Sequence, residues 1–172
     1  MNTLKTIFIT LILFGCLHVT NAQEAIPAPM KPLEVLLGEW DGDGSQSRGP
    51  NDMVTFNHHE VVSTELDGRL FVFHGTGTKT GESDPTFKAY GVMTYEAEAD
   101  QVYIHAWTMS GEYTKAPVEI SDDSFTWSFD VPNGGKVRYM ASFSKNKWTE
   151  RGEYSPDKGE TWYQFMDTNL SR

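Results

Sequence analysis

The sequence predicts an all-β protein: a single up-and-down antiparallel barrel of about ten strands, preceded by a short helical turn. Three observations carry this. Short runs alternate apolar and polar residues, as in Phe125-Thr126-Trp127-Ser128-Phe129. Turn signals rich in Gly, Asp, Asn and Ser separate these runs at short intervals. No segment carries a helical period for more than a turn or two, while aromatic residues make up 13% of the chain.

The amino terminus is read first. Lys5 is the only charge before Glu24, and Ile7 to Leu17 form an apolar run broken by Thr10 and Gly15. Thr20-Asn21-Ala22 then offers small residues where a signal peptidase cuts. Residues 1–22 are therefore expected to be a cleaved signal peptide, which implies a periplasmic or secreted protein. The run is too short to span a bilayer, which takes roughly 20 apolar residues. Cys16 follows Leu13-Phe14-Gly15, a weak likeness to a lipoprotein cleavage box, but bulky Phe14 fits it poorly. Cleavage after Ala22 discards the only cysteine, so disulfides would play no part in the mature domain.

Gln23 to Pro32 reads as a Pro/Ala linker whose prolines preclude regular structure. The domain then covers residues 33–172. Leu33 to Leu37 suggests one helical turn, stopped by Gly38. Strands are expected at Glu39 to Ser45, Met53 to Leu66, Arg69 to Lys79, Phe87 to Tyr95 and Gln101 to Met109. Five more follow at Glu112 to Ile120, Phe125 to Val131, Lys136 to Ser144, Lys147 to Tyr154 and Glu160 to Asp167. Short links favour a meander over a Greek key, and closing the meander hides both edge strands. The net charge of −10 argues against nucleic acid and anionic membrane surfaces as partners. No membrane-spanning segment is expected after cleavage.

Two motifs stand out. The stretch Leu36-Leu37-Gly38-Glu39-Trp40-Asp41-Gly42 resembles the opening of the calycins, which include lipocalins, fatty-acid-binding proteins and nitrobindins. It looks most similar to a bacterial lipocalin-like family with a Leu-Leu-Gly-x-Trp-x-Gly opening. The resemblance implies that Trp40 plugs one end of a barrel. It also raises haem as a secondary cofactor option, because nitrobindin-like barrels ligate haem through a wall histidine. The spacing around His105 does not reproduce that family's motif, so His105 is expected to be a hydrogen-bonded wall residue and no cofactor is assigned. The second motif, Ser155-Pro156-Asp157-Lys158-Gly159-Glu160-Thr161-Trp162, matches the Asp-box of sialidase-type propellers. A single copy in a chain this short cannot build a propeller, so it is read as a hairpin turn.

The Asp67-Gly68 turn sets a register that pairs Thr64 with Phe71, Val62 with Phe73, Glu60 with Gly75 and His58 with Gly77. The more apolar face is taken as interior. His58 and Glu60 then point inward opposite glycines, while His59 and His74 lie outside. The expected ligand-binding residues are His58, Glu60, Phe71, Phe73, Tyr90, His105, Trp107 and Arg151. Phe129 is expected among the aromatic lining, and Arg151 to meet a ligand carboxylate. No metal site, Gly-x-Ser-x-Gly elbow or cysteine nucleophile is expected.

The reading is an exported barrel holding a small hydrophobic or aromatic molecule. The alternatives are a small barrel enzyme, such as an isomerase, cyclase or hydrolase using an interior His/Glu pair, and a ligand-free interaction module with an exposed aromatic patch.

Overall fold

The structure, a computed structural model, describes residues 26–49 and 51–172. The expected signal peptide, its cleavage site and Cys16 lie outside these residues. Ten antiparallel strands form one closed barrel in which each strand pairs with the next and the last with the first. They are β1 (Gly38–Gly49), β2 (Asp52–Glu65), β3 (Leu70–Lys79), β4 (Phe87–Glu96) and β5 (Gln101–Thr108). The second half comprises β6 (Tyr113–Ser121), β7 (Ser124–Val131), β8 (Gly135–Phe143), β9 (Lys147–Ser155) and β10 (Tyr163–Ser171). Closure runs through pairs such as Gly42 with Leu170 and Gly44 with Thr168. Every strand of the described residues has a neighbour on both sides, although β6 and β7 pair only over residues 118–121 and 124–127.

One expectation fails at the amino-terminal end. Ala28–Leu36 is a 3-10 helix, although Pro29 and Pro32 lie in a stretch read as a linker. The reason is periodic. A 3-10 helix has 3.0 residues per turn, so Met30, Leu33 and Leu36 form one stripe. All three are completely buried across the end of the barrel. Burying such side chains stabilises by about 1.5–3 kcal/mol each, which outweighs the amide donors that proline removes.

Trp40 sits directly above this stripe and is also completely buried. Its indole N–H donates to the Leu36 carbonyl at 2.7 Å, and Trp148 meets it edge-on at 5.8 Å. The Arg172 guanidinium lies over its ring at 4.1 Å. Arg172 also donates to the carbonyls of Leu37, Val35 and Lys145, tying helix, plug and barrel wall together. Gly38 makes the tight bend into β1 at φ +117°, a conformation that L side chains rarely adopt.

The β2–β3 register is the expected one, with Glu60 opposite Gly75 and His58 opposite Gly77. The connection is wider than a two-residue turn. Leu66 and Asp67 both take positive φ, and Gly68 N–H bonds to the Glu65 carbonyl. The last strand begins later than expected because the Asp-box segment forms a broad loop. Ser155 Oγ accepts from the Gly159 N–H at 2.7 Å, and Asp157 accepts from the Thr161 N–H at 2.7 Å. These bonds, with those from the Ser155 side, hold the Asp157 carboxyl down at about 2. Trp162 leaves this loop to stack on Arg138 at 3.9 Å.

Candidate functional site

The even-numbered residues of β1 and β2 and the odd-numbered residues of β3 point into the barrel. Toward the plugged end they are large: Trp40, Val62 and Phe71. Toward the other end β1 offers Gly42 and Gly44, and β3 offers Gly75 and Gly77. At Gly42, Gly44 and Gly75 the missing side chains admit close neighbours, since a Cβ there would meet the Asn169 backbone, the Asp167 backbone and Glu60 Oε2. Gly77 borders open space, in a cavity of about 520 Å³ that opens at the end opposite Trp40. That volume suits a small organic molecule.

The cavity wall is mainly aromatic and aliphatic. Phe56, Phe73, Trp127, Tyr139, Trp148 and Phe165 all contribute to it. Trp127 stacks on Tyr139 at 4.5 Å, and Phe165 meets Tyr139 edge-on at 5.9 Å. Both Phe165 and Met166 reach the cavity because β10 bulges between Gln164 and Met166.

Three ionisable side chains interrupt this wall. His58 Nε2 lies 2.8 Å from Glu60 Oε2, and both side chains are mostly buried. A carboxylate accepts, so Nε2 carries a proton and donates to Glu60. The other ring nitrogen, Nδ1, is buried without a hydrogen-bond partner, as is the indole N–H of Trp148. Gly75 is needed here, since a Cβ would lie 2.6 Å from Glu60 Oε2. The third group is Glu150, inward on β9 beside Trp148. Glu150 pairs with Thr168 of β10, Thr168 with Gly44 of β1, and Gly44 with Phe56 of β2. The missing side chains of β1 thus let β2 and β9 face each other. Burial pushes the Glu150 carboxyl up to about 7, with the Glu60 charge adding to the rise and His58 opposing it. The cavity reaches Glu150, so its surface is partly accessible although the group lies deep in the protein. Burial also raises the Tyr139 hydroxyl well above its ordinary value, helped by the Glu150 charge.

The expected site residues divide. His58, Glu60 and Phe73 line the cavity. Phe71 points inward but is completely buried in the apolar core of the barrel. Phe129 stacks on Trp127 and packs against the core without lining the cavity. Tyr90, His105 and Trp107 are on the outer face, because Ala89, Gly91 and Met93 take the interior of β4 and Ile104 and Ala106 that of β5. Tyr90 and Trp107 still border the cavity mouth, at 44% and 39% exposure. His105 is hydrogen-bonded through Nδ1 to the Tyr113 hydroxyl at 2.8 Å. Arg151 is also outside, with its side chain 56% exposed and 3.7 Å from Glu153. The parity that turns Arg151 outward turns Glu150 inward.

Glu153, on the outer face, is held by Arg138 at 2.6 Å and cannot pair with interior Glu60. His59 is outside as expected, 2.8 Å from Asp41, and His74 rests against Tyr90. Across β3 to β6, His74, Tyr90, Trp107 and Tyr113 are register neighbours and form an outer aromatic row. Among the described residues no cluster of three metal-ligating side chains occurs, and no helix is long and apolar enough to cross a membrane.

The fold and cavity together define a closed antiparallel barrel with one plugged end and an internal chamber. Among solved structures the chain is similar to Rv2717c from M. tuberculosis, with a TM-score of 0.63 at 11% sequence identity. The match covers 86% of this chain and 98% of that one, and it is a likeness of fold. No family model and no curated protein matches the chain.

Proposed function

We propose that this protein is an exported, calycin-type barrel that holds a small, partly apolar molecule in its cavity. The cavity itself carries the reading. A barrel without a guest fills its interior with side chains, whereas here about 520 Å³ walled largely by aromatic rings stays open. Trp40, buried against the 3-10 helix at one end of the barrel, supports the calycin relationship, and the Lys5 to Ala22 pattern supports export. Haem bound through His105 would lie outside the barrel, so the reading gives the cavity to an organic guest.

The test is fluorescence of N-phenyl-1-naphthylamine, a neutral apolar probe, titrated with the protein. Saturable enhancement is expected, and Ala106→Trp, which grows a ring into the cavity, is expected to abolish it while the protein still melts cooperatively. Equal enhancement by both proteins would contradict the reading.

A second reading has an observation of its own. The interior His/Glu pair required for acid/base chemistry is present as His58 and Glu60, and Glu150 titrates near neutrality beside them. Such a barrel enzyme would use the same cavity. The interaction-module reading calls for a dry interior and an exposed aromatic patch; the outer row of Tyr90, Trp107 and Tyr113 supplies the patch, and the open cavity weighs against the reading.

A further inference from the structure

Glu150 is a carboxyl group on the wall of an aromatic cavity, and burial is the main cause of its raised pKa. Holding a carboxyl group in such surroundings opposes its ionisation. Glu60 lies close enough to Glu150 for their charges to repel. Glu60 has a donor in His58, while His58 Nδ1 and the Trp148 indole N–H stay buried without a partner. The lining thus carries two carboxylates, and its one lysine or arginine is Arg48 at the mouth.

The charged or titratable groups on the lining are few. β1 supplies Arg48 at the exposed mouth, β2 supplies His58 and Glu60, β8 supplies Tyr139 and β9 supplies Glu150. The remaining strands add only Tyr90, at the rim. No cationic side chain of the described residues forms an ion pair with Glu150. The surrounding rings present faces that attract a cation within about 6 Å of their centres.

We propose that the guest is a primary or secondary amine, bound as its ammonium ion with the charged nitrogen at Glu150 and Glu60 and its apolar part among Phe73, Trp127 and Tyr139. The N–H groups of the amine match the carboxylate oxygens, and the two carboxylates supply its counter-charge. The overall net charge of −10 also favours approach of cations over anions. This rests on the cavity being a ligand site and adds the chemical class of the ligand.

Three probes of similar size separate the two ideas: 2-phenylethylamine, 2-phenylethanol and 3-phenylpropanoate, each titrated against bound N-phenyl-1-naphthylamine. At roughly pH 8 the amine is expected to bind at least about ten-fold more tightly than the alcohol, and the carboxylate most weakly. The preference is expected to shrink to within about three-fold in E150Q and to fall in E60Q. In the wild type it is expected to fall as the pH drops from roughly 8 to 5.5, where Glu150 gains its proton while the amine keeps its charge. An alcohol or carboxylate that binds as tightly as the amine, with the neutral probe still bound, would overturn the amine assignment alone. So would an amine preference that survives both substitutions. Failure of the neutral probe itself would overturn the ligand site as well.

Discussion

At the plugged end of the barrel, Met30, Leu33, Leu36 and Trp40 are completely buried, and the Trp40 indole N–H has the Leu36 carbonyl to donate to. Further along the same strands, the interior holds His58, Glu60 and Glu150 around an open space, with a buried ring nitrogen left without a partner. One half of the interior maximises packing. The other half gives up packing and accepts groups that oppose folding. Because the same ten strands build both, the contrast cannot come from the fold, and it marks the cavity as the part selected for something other than stability.

The largest effect is expected at the plug. Trp40→Ala should cost about 3–5 kcal/mol in urea unfolding, because it leaves a void between the 3-10 helix and Trp148 and frees Arg172. A loss under about 1 kcal/mol would mean that the two ends do not differ as argued.

Glu150→Gln should have the opposite sign. The Glu150 carboxyl titrates at about 7 in the folded protein against an ordinary value of 4.5, so the folded state holds this proton more tightly than the unfolded chain does. Its ionisation therefore leaves stability untouched below about pH 4.5, erodes it as the pH rises, and removes up to about 3 kcal/mol above pH 7. The variant should be more stable than wild type at pH 8 and lack this part of the pH dependence, read from unfolding midpoints across the range. Destabilisation at pH 8 would show that Glu150 is a structural group.

Gly75→Ala is expected to cost about 1–3 kcal/mol, since the added Cβ would meet the Glu60 carboxylate at 2.6 Å. It should also displace Glu60 from His58, visible as a shifted His58 ring resonance in NMR. Arg151→Ala should be the mildest, within about 0.5 kcal/mol and without effect on probe binding, because the side chain lies in solvent beside Glu153.

The strands were legible because alternation and turn chemistry are local. Thr64-Glu65-Leu66-Asp67-Gly68 set the β2–β3 register, and with it the inward direction of His58 and Glu60, from a few neighbouring residues. Of the 3-10 helix, the turn from Leu33 was legible and the part before it was not, since its prolines argue against helix locally and its buried stripe is rewarded only once the barrel exists. Strand parity goes wrong wherever it has to be guessed from side-chain size. Tyr90 and Trp107 are large and were placed inside, but the barrel gives those interior positions to Ala89, Gly91 and Ala106 and sets the rings on its outer surface. Taking Arg151 as inward is the same one-residue error, and it conceals Glu150. A usable signal was present in Trp148, Glu150 and Gly152, where a large apolar residue and a glycine bracket the inward carboxylate.

The central claim is that a guest enters the barrel between these two regions and does not rest on the outer aromatic row. Intermolecular NOEs from bound N-phenyl-1-naphthylamine test this directly. The account predicts contacts to the ring protons of Phe73, Trp127 and Tyr139. Contacts confined to His105 and Tyr113 on the outer face would contradict it.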